Sequence, residues 1–181
     1  EHWYRLDGEL VPSVTQIIKV LDKPALIAWA ANQTAKKATE LYARQTDKDG
    51  IIRMTFAQAQ DILEEARKKF RETSRDAADI GSIVHKAIEA IMLGEQPEPI
   101  IDENVANGII AFTQWKEANK VKPVRVEAYI GSKKYGFGGT CDFIGYVGDM
   151  IIVGDWKTSA GIYTEYKIQV SAYLAATEEM L

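Results

Sequence analysis

The stretch GGTCDFIGYVGDMIIVGDWKTS, from Gly138 to Ser159, decides the expected fold. It holds two apolar runs separated by a Gly-Asp pair at positions 148 and 149. Glycine at the first position of a two-residue loop favours a type II′ turn, so we predict a β-hairpin. In this hairpin Val147 pairs with Met150, and the pairing of every residue farther from the turn follows from that register.

The predicted register brings two acidic residues together. Asp142 falls directly opposite Asp155, and directly opposed side chains have Cβ atoms about 4.5–5.5 Å apart. Lys157 follows Asp155 by two residues and therefore lies on the same face. The other residues of both runs are mostly apolar, so we expect this strand pair to be covered on both faces.

Two buried carboxylates that face each other need a compensating positive charge. Lys157 supplies one unit, whereas a divalent cation supplies two, and carboxylate oxygens are ligands that Mg²⁺ and Mn²⁺ prefer. The residues alone leave an alternative open, which is an ordinary salt bridge at the end of a sheet. A β-bulge in either strand would also change which residues face each other.

The composition restricts the class of protein. The chain has 181 residues, of which 46% are hydrophobic and 27% are charged, as expected for one globular domain with a core. No apolar run reaches the roughly 18 residues of a membrane helix, so we expect no membrane partner. The net charge is −4, which excludes a strongly basic coat for nucleic acid. Cys141 is the only cysteine, which excludes an internal disulfide and favours a reducing, cytoplasmic setting.

Periodicity predicts helices, then three adjacent strands, then a final helix. Residues 3–11 alternate around a turn at Asp7 and predict a first hairpin. Ser13 and Gln16 have the spacing of a capping box, so a short helix is expected to begin there. This order indicates an α/β core with a helical N-terminal elaboration. The remaining predicted elements are helices over about 24–42, 55–71, 76–93, 103–119 and 164–179, and a strand over 124–130.

Two of the predicted helices carry polar residues at helical spacing. Gly81, His85 and Glu89 recur every four residues and form one stripe, in which Gly81 would let another segment approach His85. A single helical histidine is also common as an ordinary surface or core residue. Gln169 and Tyr173 are likewise four residues apart and project from one face. The alternative for this second pair is a solvated glutamine beside a core tyrosine.

These residues together resemble the PD-(D/E)XK nuclease superfamily. Asp142 matches its first acidic position, and the triplet Asp155-Trp156-Lys157 matches its D/E-x-K motif. The stretch GSIVHKAIE at 81–89 resembles the helical histidine motif of the RecB-like exonuclease branch, which includes phage and bacterial exonucleases and the mitochondrial genome-maintenance exonuclease. Further matches are PSVTQII at 12–18, GFGGTCDFIG at 136–145 and IQVSAY at 168–173, so the resemblance covers nearly the whole chain.

The resemblance implies a restriction-endonuclease-like core, in which helices flank a central mixed sheet. We therefore expect residues 1–181 to form a single nuclease domain, with a mainly helical N-terminal part at 1–73 and a catalytic core at 74–181. Relatives add strands after the Gln-xxx-Tyr motif, which implies a trimmed chain or a sheet completed by a partner. The cluster-binding cysteines of the CRISPR-adaptation relatives are missing, so we expect no iron–sulfur cluster.

The resemblance also implies a role for each motif residue at the hairpin. Asp142, Asp155 and the backbone carbonyl of Trp156 would bind one or two Mg²⁺ or Mn²⁺ ions, with His85 as a further ligand through its nitrogen. Such an ion polarises a phosphate and lowers the pKa of water. Lys157 would orient that water or stabilise charge that develops on the phosphate.

Other residues are expected to support the site. By resemblance, Gln169 and Tyr173 hold the motif lysine and the DNA backbone in place, and Glu89 supports the motif histidine or lysine, or contacts DNA. Glu127 lies on the strand before the hairpin and either faces the site or is an exposed strand carboxylate. Several basic residues near the turns are candidate phosphate contacts or simply solvated charges: Lys133, Lys134, Lys120, Lys122 and Arg125.

The expected function is hydrolysis of phosphodiester bonds in DNA by a metal-dependent exonuclease, in DNA repair, recombination or phage DNA processing. The expected partner is DNA, bound at its ends or as a single strand. The expected location is the cytoplasm, and the expected origin of the protein is bacterial or phage. One alternative is a structure-specific endonuclease of the same superfamily, which would cut closed circular DNA. Another is a noncatalytic DNA-binding module with a nuclease-like fold, which would retain DNA without hydrolysing it.

Overall fold

The computed structural model describes residues 2–21, 23–159 and 161–181. This part of the chain has five α-helices and two small antiparallel β-sheets, which confirms the mixed α/β class. In the same residues, none of the helices is long and apolar enough to cross a membrane. The chain divides into two compact units, one formed by residues 1–21 together with 80–181 and the other by residues 22–79.

The order of the elements agrees with the predicted order of hairpin, helices, strands and a final helix. Most bounds fall within a few residues of the prediction, and the difference in the third helix is described below. In chain order the elements are β1 (Trp3–Leu6), β2 (Glu9–Pro12), α1 (Val14–Ile17), a 3₁₀ turn (Ile18–Val20), α2 (Pro24–Ala43), α3 (Phe56–Leu93), α4 (Glu103–Ala118), β3 (Lys122–Ser132), β4 (Phe137–Val147), β5 (Met150–Gly154) and α5 (Thr164–Met180).

The register predicted for the second hairpin is confirmed. Val147 pairs with Met150, and the same register carries through to the pair of Phe143 and Gly154. Gly148 has a φ of 59°, the positive value that a primed hairpin turn requires at its first central residue. The turn therefore fixes which residues of β4 and β5 face each other.

The main sheet has the strand order β3-β4-β5, and both pairings are antiparallel. β3 pairs with β4 along almost its full length, with one irregularity between Pro123 and Arg125. Among the described residues, parallel pairing is limited to an isolated bridge between Ser13 and Gly138. The predicted capping box is confirmed, because the Ser13 hydroxyl accepts a hydrogen bond from the Gln16 amide while the Gln16 side chain accepts one from the Ser13 amide.

Two clusters of mostly buried side chains pack against the main sheet. The aromatic cluster consists of Phe112, Trp115, Phe143 and Trp156, and it packs against the buried residues of α4 and of the last part of α3. In this cluster the rings of Phe143 and Trp156 are stacked, with centroids 4.9 Å apart and planes 3° from parallel. The Tyr173 cluster lies between α5 and the sheet and contains Ala128, Ile130, Cys141, Tyr173 and Ala176.

Strand β4 contributes to both clusters. Cys141 is buried in the Tyr173 cluster, whereas Phe143 is buried in the aromatic cluster. The strand therefore passes from one cluster to the other at the residue between them, Asp142. Because side chains alternate along a strand, the Asp142 carboxylate points to the opposite face of β4 from these two buried residues.

The third helix differs from the prediction. Two helices, over 55–71 and 76–93, were expected, but α3 is one continuous helix of 38 residues. The expected interruption lay among Thr73 and its polar neighbours, which are common cap residues. Thr73 instead donates a hydrogen bond from its hydroxyl to the carbonyl of Lys69, four residues earlier, and so remains within the helix. Thr55 caps the start of the helix with Gln58, as predicted.

The expectation that both faces of the β4-β5 hairpin are covered is wrong at its tip. Tyr146, Met150 and Ile151 are exposed. β5 is an edge strand of the three-stranded sheet, so its tip lies beyond the reach of the two clusters. Burial increases toward the end of the hairpin that carries Asp142.

The second unit contains α2 and the first part of α3. Ala38 and Leu41 of α2 are buried together with Ala66 of α3. Trp29 and Phe70 add an edge-to-face ring contact with centroids 5.4 Å apart. Trp29 is thus part of the packing within this unit, although it remains 36% exposed.

Candidate active site

Asp142 and Asp155 lie at the end of the β4-β5 hairpin that is farther from the turn. The register extended by one residue beyond the pair of Phe143 and Gly154 places Asp155 across from Asp142. The backbone N–H of Trp156 donates a hydrogen bond to Asp142 Oδ2, which ties the two strand ends together. The side chains of Asp142 and Asp155 are only 12% and 8% exposed. The two acids thus meet in a largely buried place, as the turn register predicts.

Helix α3 brings His85 to the same place. His85 Nδ1 lies 3.5 Å from Asp142 Oδ1, and the histidine side chain is 34% exposed. The pKa of His85 is raised, chiefly because its side chain makes a hydrogen bond with Asp142, while burial acts in the opposite direction. A Cβ on Gly81 would lie 3.0 Å from Thr158 Oγ1. Gly81 thus lets the segment after β5 approach the helix one turn before His85, as its position predicts.

Asp155 is held by residues from two elements. The Lys157 ammonium forms an ion pair with Asp155 Oδ2. From α5, Gln169 Nε2 donates hydrogen bonds to Asp155 Oδ1 at 3.3 Å and to the Tyr173 hydroxyl at 2.7 Å. Gln169 and Tyr173 are buried, so the alternative of a solvated glutamine is wrong. Gln169 contacts the acid Asp155 directly, and Tyr173 is linked to that carboxylate through Gln169.

The site has an excess of acidic groups. Burial raises the pKa of Asp155, and the hydrogen bond and charge of Lys157 oppose this shift. Partial burial is the main cause that raises the pKa of Glu127, and the nearby carboxylates of Asp142 and Glu89 raise it further. Three carboxylates, those of Asp142, Asp155 and Glu127, therefore lie within electrostatic range of the His85 imidazole, and Lys157 supplies one ammonium. Such an excess of negative charge favours the uptake of a cation.

The donor atoms of this site fit a divalent metal ion. Carboxylate oxygens of Asp142 and Asp155 and the imidazole nitrogen of His85 are a set that suits Mn²⁺ or Mg²⁺. Within the residues described by the structure, no three or more His, Cys, Asp or Glu side chains are grouped so that they could hold a metal ion. The contacts give the reason, because Asp155 faces Lys157 while Asp142 faces His85. To bind a metal ion, the Asp155 carboxylate would have to give up part of its contact with the Lys157 ammonium.

Comparisons of the sequence with family models and with curated proteins gave no match. The resemblance to the PD-(D/E)XK superfamily therefore rests on the motif residues themselves and on their order in the chain. Of those residues, Asp142, Asp155, Lys157 and His85 meet in one place, joined by the Gln-xxx-Tyr pair of α5. The predicted role of the Trp156 carbonyl as a ligand stays a prediction.

The basic residues proposed as phosphate contacts do not form one patch. In the backbone register, Lys122 lies opposite Tyr146 at one end of the sheet. The turn that carries Lys133 and Lys134 lies at the other end. The Lys133 ammonium is paired with Asp7. The Lys134 ammonium lies 4.9 Å from the centre of the Tyr135 ring. These lysines therefore have local partners and lie away from the two acids.

Two features of the site are not among those predicted from the sequence. The Lys157 ammonium lies 5.2 Å from the centre of the Tyr166 ring, a distance typical of a cation–π contact. The signal for Tyr166 was present, because it precedes Gln169 and Tyr173 by three and seven residues on the same helical stripe. Glu127 has a φ of 48° within β3, which is unusual for a residue with a side chain. Sequence periodicity carries no signal for such a local change of backbone conformation.

Proposed function

We propose that this protein is a divalent-metal-dependent deoxyribonuclease, an exonuclease with the restriction-endonuclease-like core of the PD-(D/E)XK superfamily. One observation carries the proposal. Two largely buried carboxylates, an ammonium and an imidazole meet at the ends of paired strands, in the chain order His85, Asp142, Asp155, Lys157 that the resemblance requires. A structural salt bridge would need only one acid and one base, whereas this site gathers two acid–base pairs at the same strand ends.

The proposed reaction adds a water oxygen to phosphorus and releases one ester oxygen, which takes up a proton. Bound Mg²⁺ or Mn²⁺ would supply Lewis-acid activation of the phosphate and a lowered pKa for water. Asp142, Asp155 and His85 would hold the ion. The Lys157 ammonium would stabilise the negative charge that grows on the phosphate oxygens in the transition state. Gln169 keeps the Asp155 carboxylate oriented through its hydrogen bond.

The direct test is degradation of end-labelled linear DNA by the purified protein in Mg²⁺ or Mn²⁺. We expect excess chelator to stop the reaction. Asp155→Ala and Lys157→Ala should each lower the rate by at least about 100-fold, the usual effect of removing a group that stabilises transition-state charge. Closed circular DNA should resist the enzyme, since an exonuclease needs an end, and its cleavage would identify an endonuclease instead.

Two exposed residues give matched controls for these variants. Asp149 lies in the turn of the same hairpin, and Lys167 lies on the exposed side of α5. Asp149→Ala and Lys167→Ala should keep the wild-type rate and melting temperature. Undiminished activity in Asp155→Ala, or activity in excess chelator, would reject the proposal.

A noncatalytic DNA-binding module is the second candidate. It is favoured by the fact that both acids already have protein partners, Asp155 with Lys157 and Asp142 with His85. Titration calorimetry with Mn²⁺ separates the two candidates, because the nuclease requires metal binding that Asp155→Ala abolishes. DNA retention without metal binding or hydrolysis would establish the noncatalytic module.

A further inference from the structure

Tyr166, in the first turn of α5, faces the ammonium of Lys157. The ammonium lies 5.2 Å from the centre of the Tyr166 ring, within the roughly 6 Å of a cation–π contact. Tyr166 precedes Gln169 by three residues and Tyr173 by seven, so the three side chains lie on one stripe of the helix. The helix that orients the Asp155 carboxylate through Gln169 therefore also brings an aromatic ring to the neighbouring ammonium.

The Tyr166 ring is itself supported by a second ring. Tyr163, at the start of α5, lies edge-to-face with Tyr166, with centroids 5.4 Å apart and planes 75° from parallel. This arrangement is favourable because the positive edge of one ring meets the negative face of the other. Tyr166 is also partly buried, which restricts the movement of its side chain. The contact with Tyr163 therefore favours one orientation of the ring that Lys157 meets.

The ammonium of Lys157 has two partners of different kinds. Asp155 Oδ2 forms an ion pair with it, whereas the Tyr166 ring offers a neutral surface. The Lys157 side chain is only 23% exposed, so much of it is removed from water. A cation–π contact becomes stronger as the cation loses water, and the ring therefore contributes more here than it would at an open surface.

The two partners respond differently when a divalent ion occupies the acids. A carboxylate that binds the ion shares its negative charge with it, so its attraction for the ammonium of Lys157 weakens. Repulsion between the ammonium and the ion adds to this loss, because two positive charges then lie close together. The face of an aromatic ring is not a ligand for Mg²⁺ or Mn²⁺, which take oxygen and nitrogen donors. The Tyr166 ring is thus the partner that keeps its attraction for Lys157 after metal binding.

We propose that Tyr166 is a positioning residue, which keeps the Lys157 ammonium beside the reacting phosphate when Asp155 binds the metal ion. The ring attracts the ammonium without neutralising it, so the full positive charge remains for the phosphate oxygens. The proposal deepens the proposed nuclease function and rests on it for the effect on the rate. The contact between the ring and the ammonium, in contrast, is measurable without any reaction.

Substitutions that remove the ring but keep an apolar side chain test this role. With end-labelled linear DNA, Tyr166→Leu should lower kcat by about 3–30-fold, the rate equivalent of a cation–π contact, and should leave KM within about twofold of wild type. Tyr166→Phe keeps the ring and should keep kcat within about twofold of wild type. Tyr135→Leu is the matched control, because it removes a similar pair outside the site, in which the Lys134 ammonium lies 4.9 Å from the Tyr135 ring centre. This control should change neither constant.

Nuclear magnetic resonance of the lysine side chains gives a readout that needs no hydrolysis. Protons that lie over the face of an aromatic ring resonate upfield. The Hε signals of Lys157, assigned by their absence in Lys157→Arg, should therefore lie upfield of those of exposed lysines. This shift should persist when Mg²⁺ is added, and it should disappear in Tyr166→Leu but not in Tyr166→Phe. The wild-type spectra with and without Mg²⁺ decide the contact even if Tyr166→Leu does not fold.

The two measurements separate this proposal from the proposed function. Hydrolysis that requires Lys157 but proceeds at the wild-type rate in Tyr166→Leu would overturn the positioning role and leave the nuclease intact. An upfield shift that depends on Tyr166 and persists in Mg²⁺, without any hydrolysis, would uphold the positioning of the ammonium and reject the nuclease. Loss of the shift on addition of Mg²⁺, or equal losses of kcat in Tyr166→Leu and Tyr166→Phe, would also overturn the proposal, since neither result is compatible with attraction by the ring.

Discussion

The two clusters that receive the residues on either side of Asp142 in β4 are built from different kinds of contact. The aromatic cluster, on the side of Phe143, is held by ring packing with Trp156 and its neighbours. The Tyr173 cluster, on the side of Cys141, borders a buried polar pair in which Gln169 joins the Tyr173 hydroxyl to Asp155. The Phe143 side of β4 is therefore stabilised by packing alone. On the Cys141 side, hydrogen bonds also fix the direction of the Asp155 carboxylate.

This difference predicts that stability and site geometry can be changed separately. Removing atoms from an apolar cluster leaves a cavity, and the loss scales with the missing contacts. Removing a buried hydrogen-bond partner leaves polar atoms without a partner and lets a functional group turn. Variants on the two sides of Asp142 should therefore differ in what they lose as well as in how much.

The largest expected effect is on the aromatic side. Phe143→Ala should lower the free energy of unfolding by about 3–5 kcal/mol, because Phe143 is almost fully buried and stacks on Trp156. Urea denaturation measures the loss. Tyr146→Ala, on the same strand but at the exposed tip, should change stability by no more than about 0.5 kcal/mol. Similar losses in the two variants would mean that the aromatic cluster does not hold the strand.

The polar side should affect the metal site more than the fold. Gln169→Leu leaves Asp155 and the Tyr173 hydroxyl without a shared partner, so we expect a loss of about 1–3 kcal/mol in stability. It should also weaken Mn²⁺ binding by about 10–100-fold, the usual effect of removing a residue that orients a ligand. Calorimetry gives the metal affinity, and Ser171→Ala on the exposed face of α5 is the control. Unchanged metal affinity in Gln169→Leu would contradict a positioning role.

A glycine on β4 provides a second test of the polar side. A Cβ on Gly139 would lie 2.7 Å from Tyr173 Cε1, and a rigid ring can only move as a whole. Gly139→Ala should cost about 1–3 kcal/mol through overpacking and should shift the Tyr173 hydroxyl away from Gln169. Gly161→Ala is the control, because a Cβ there would meet nothing within 4 Å. Equal melting temperatures for the two variants would show that Tyr173 is not fixed against the strand.

The parts of the fold that follow from neighbouring residues could be predicted from the sequence. The turn at Gly148 set the register of β4 and β5, and the spacing of Ser13 and Gln16 gave a capping box. The convergence of Asp142 and Asp155 follows from that register alone. These features depend on backbone conformation and on period-two alternation, both of which are local.

The rest of the site depends on contacts between residues distant in the chain. Gln169 was placed on the correct helix face, but its partner Asp155 comes from another element. The pairing of Lys133 with Asp7, 126 residues earlier in the chain, has no signal in the sequence pattern, and the phosphate contact of Lys133 stays a prediction. The sequence predicts a break in α3 near Thr73. The Thr73 hydroxyl instead donates a hydrogen bond within the helix, so the helix continues through this residue. Sequence patterns predict which residues share a face, whereas the partner of each face is decided by packing.

Cys141, next to Asp142 in the Tyr173 cluster, gives the smallest predicted effect. Burial raises the pKa of its thiol to about 12 in the folded protein, whereas an exposed thiol titrates near about 8.5. Between these values the unfolded chain has lost the proton and the folded chain has kept it, so the unfolded state binds fewer protons and stability falls as pH rises. Over one pH unit above about 8.5, wild type should lose about 1 kcal/mol of unfolding free energy relative to Cys141→Ala. Urea denaturation at a series of pH values measures the difference, and parallel profiles for the two proteins would show that the thiol is not protected by the cluster.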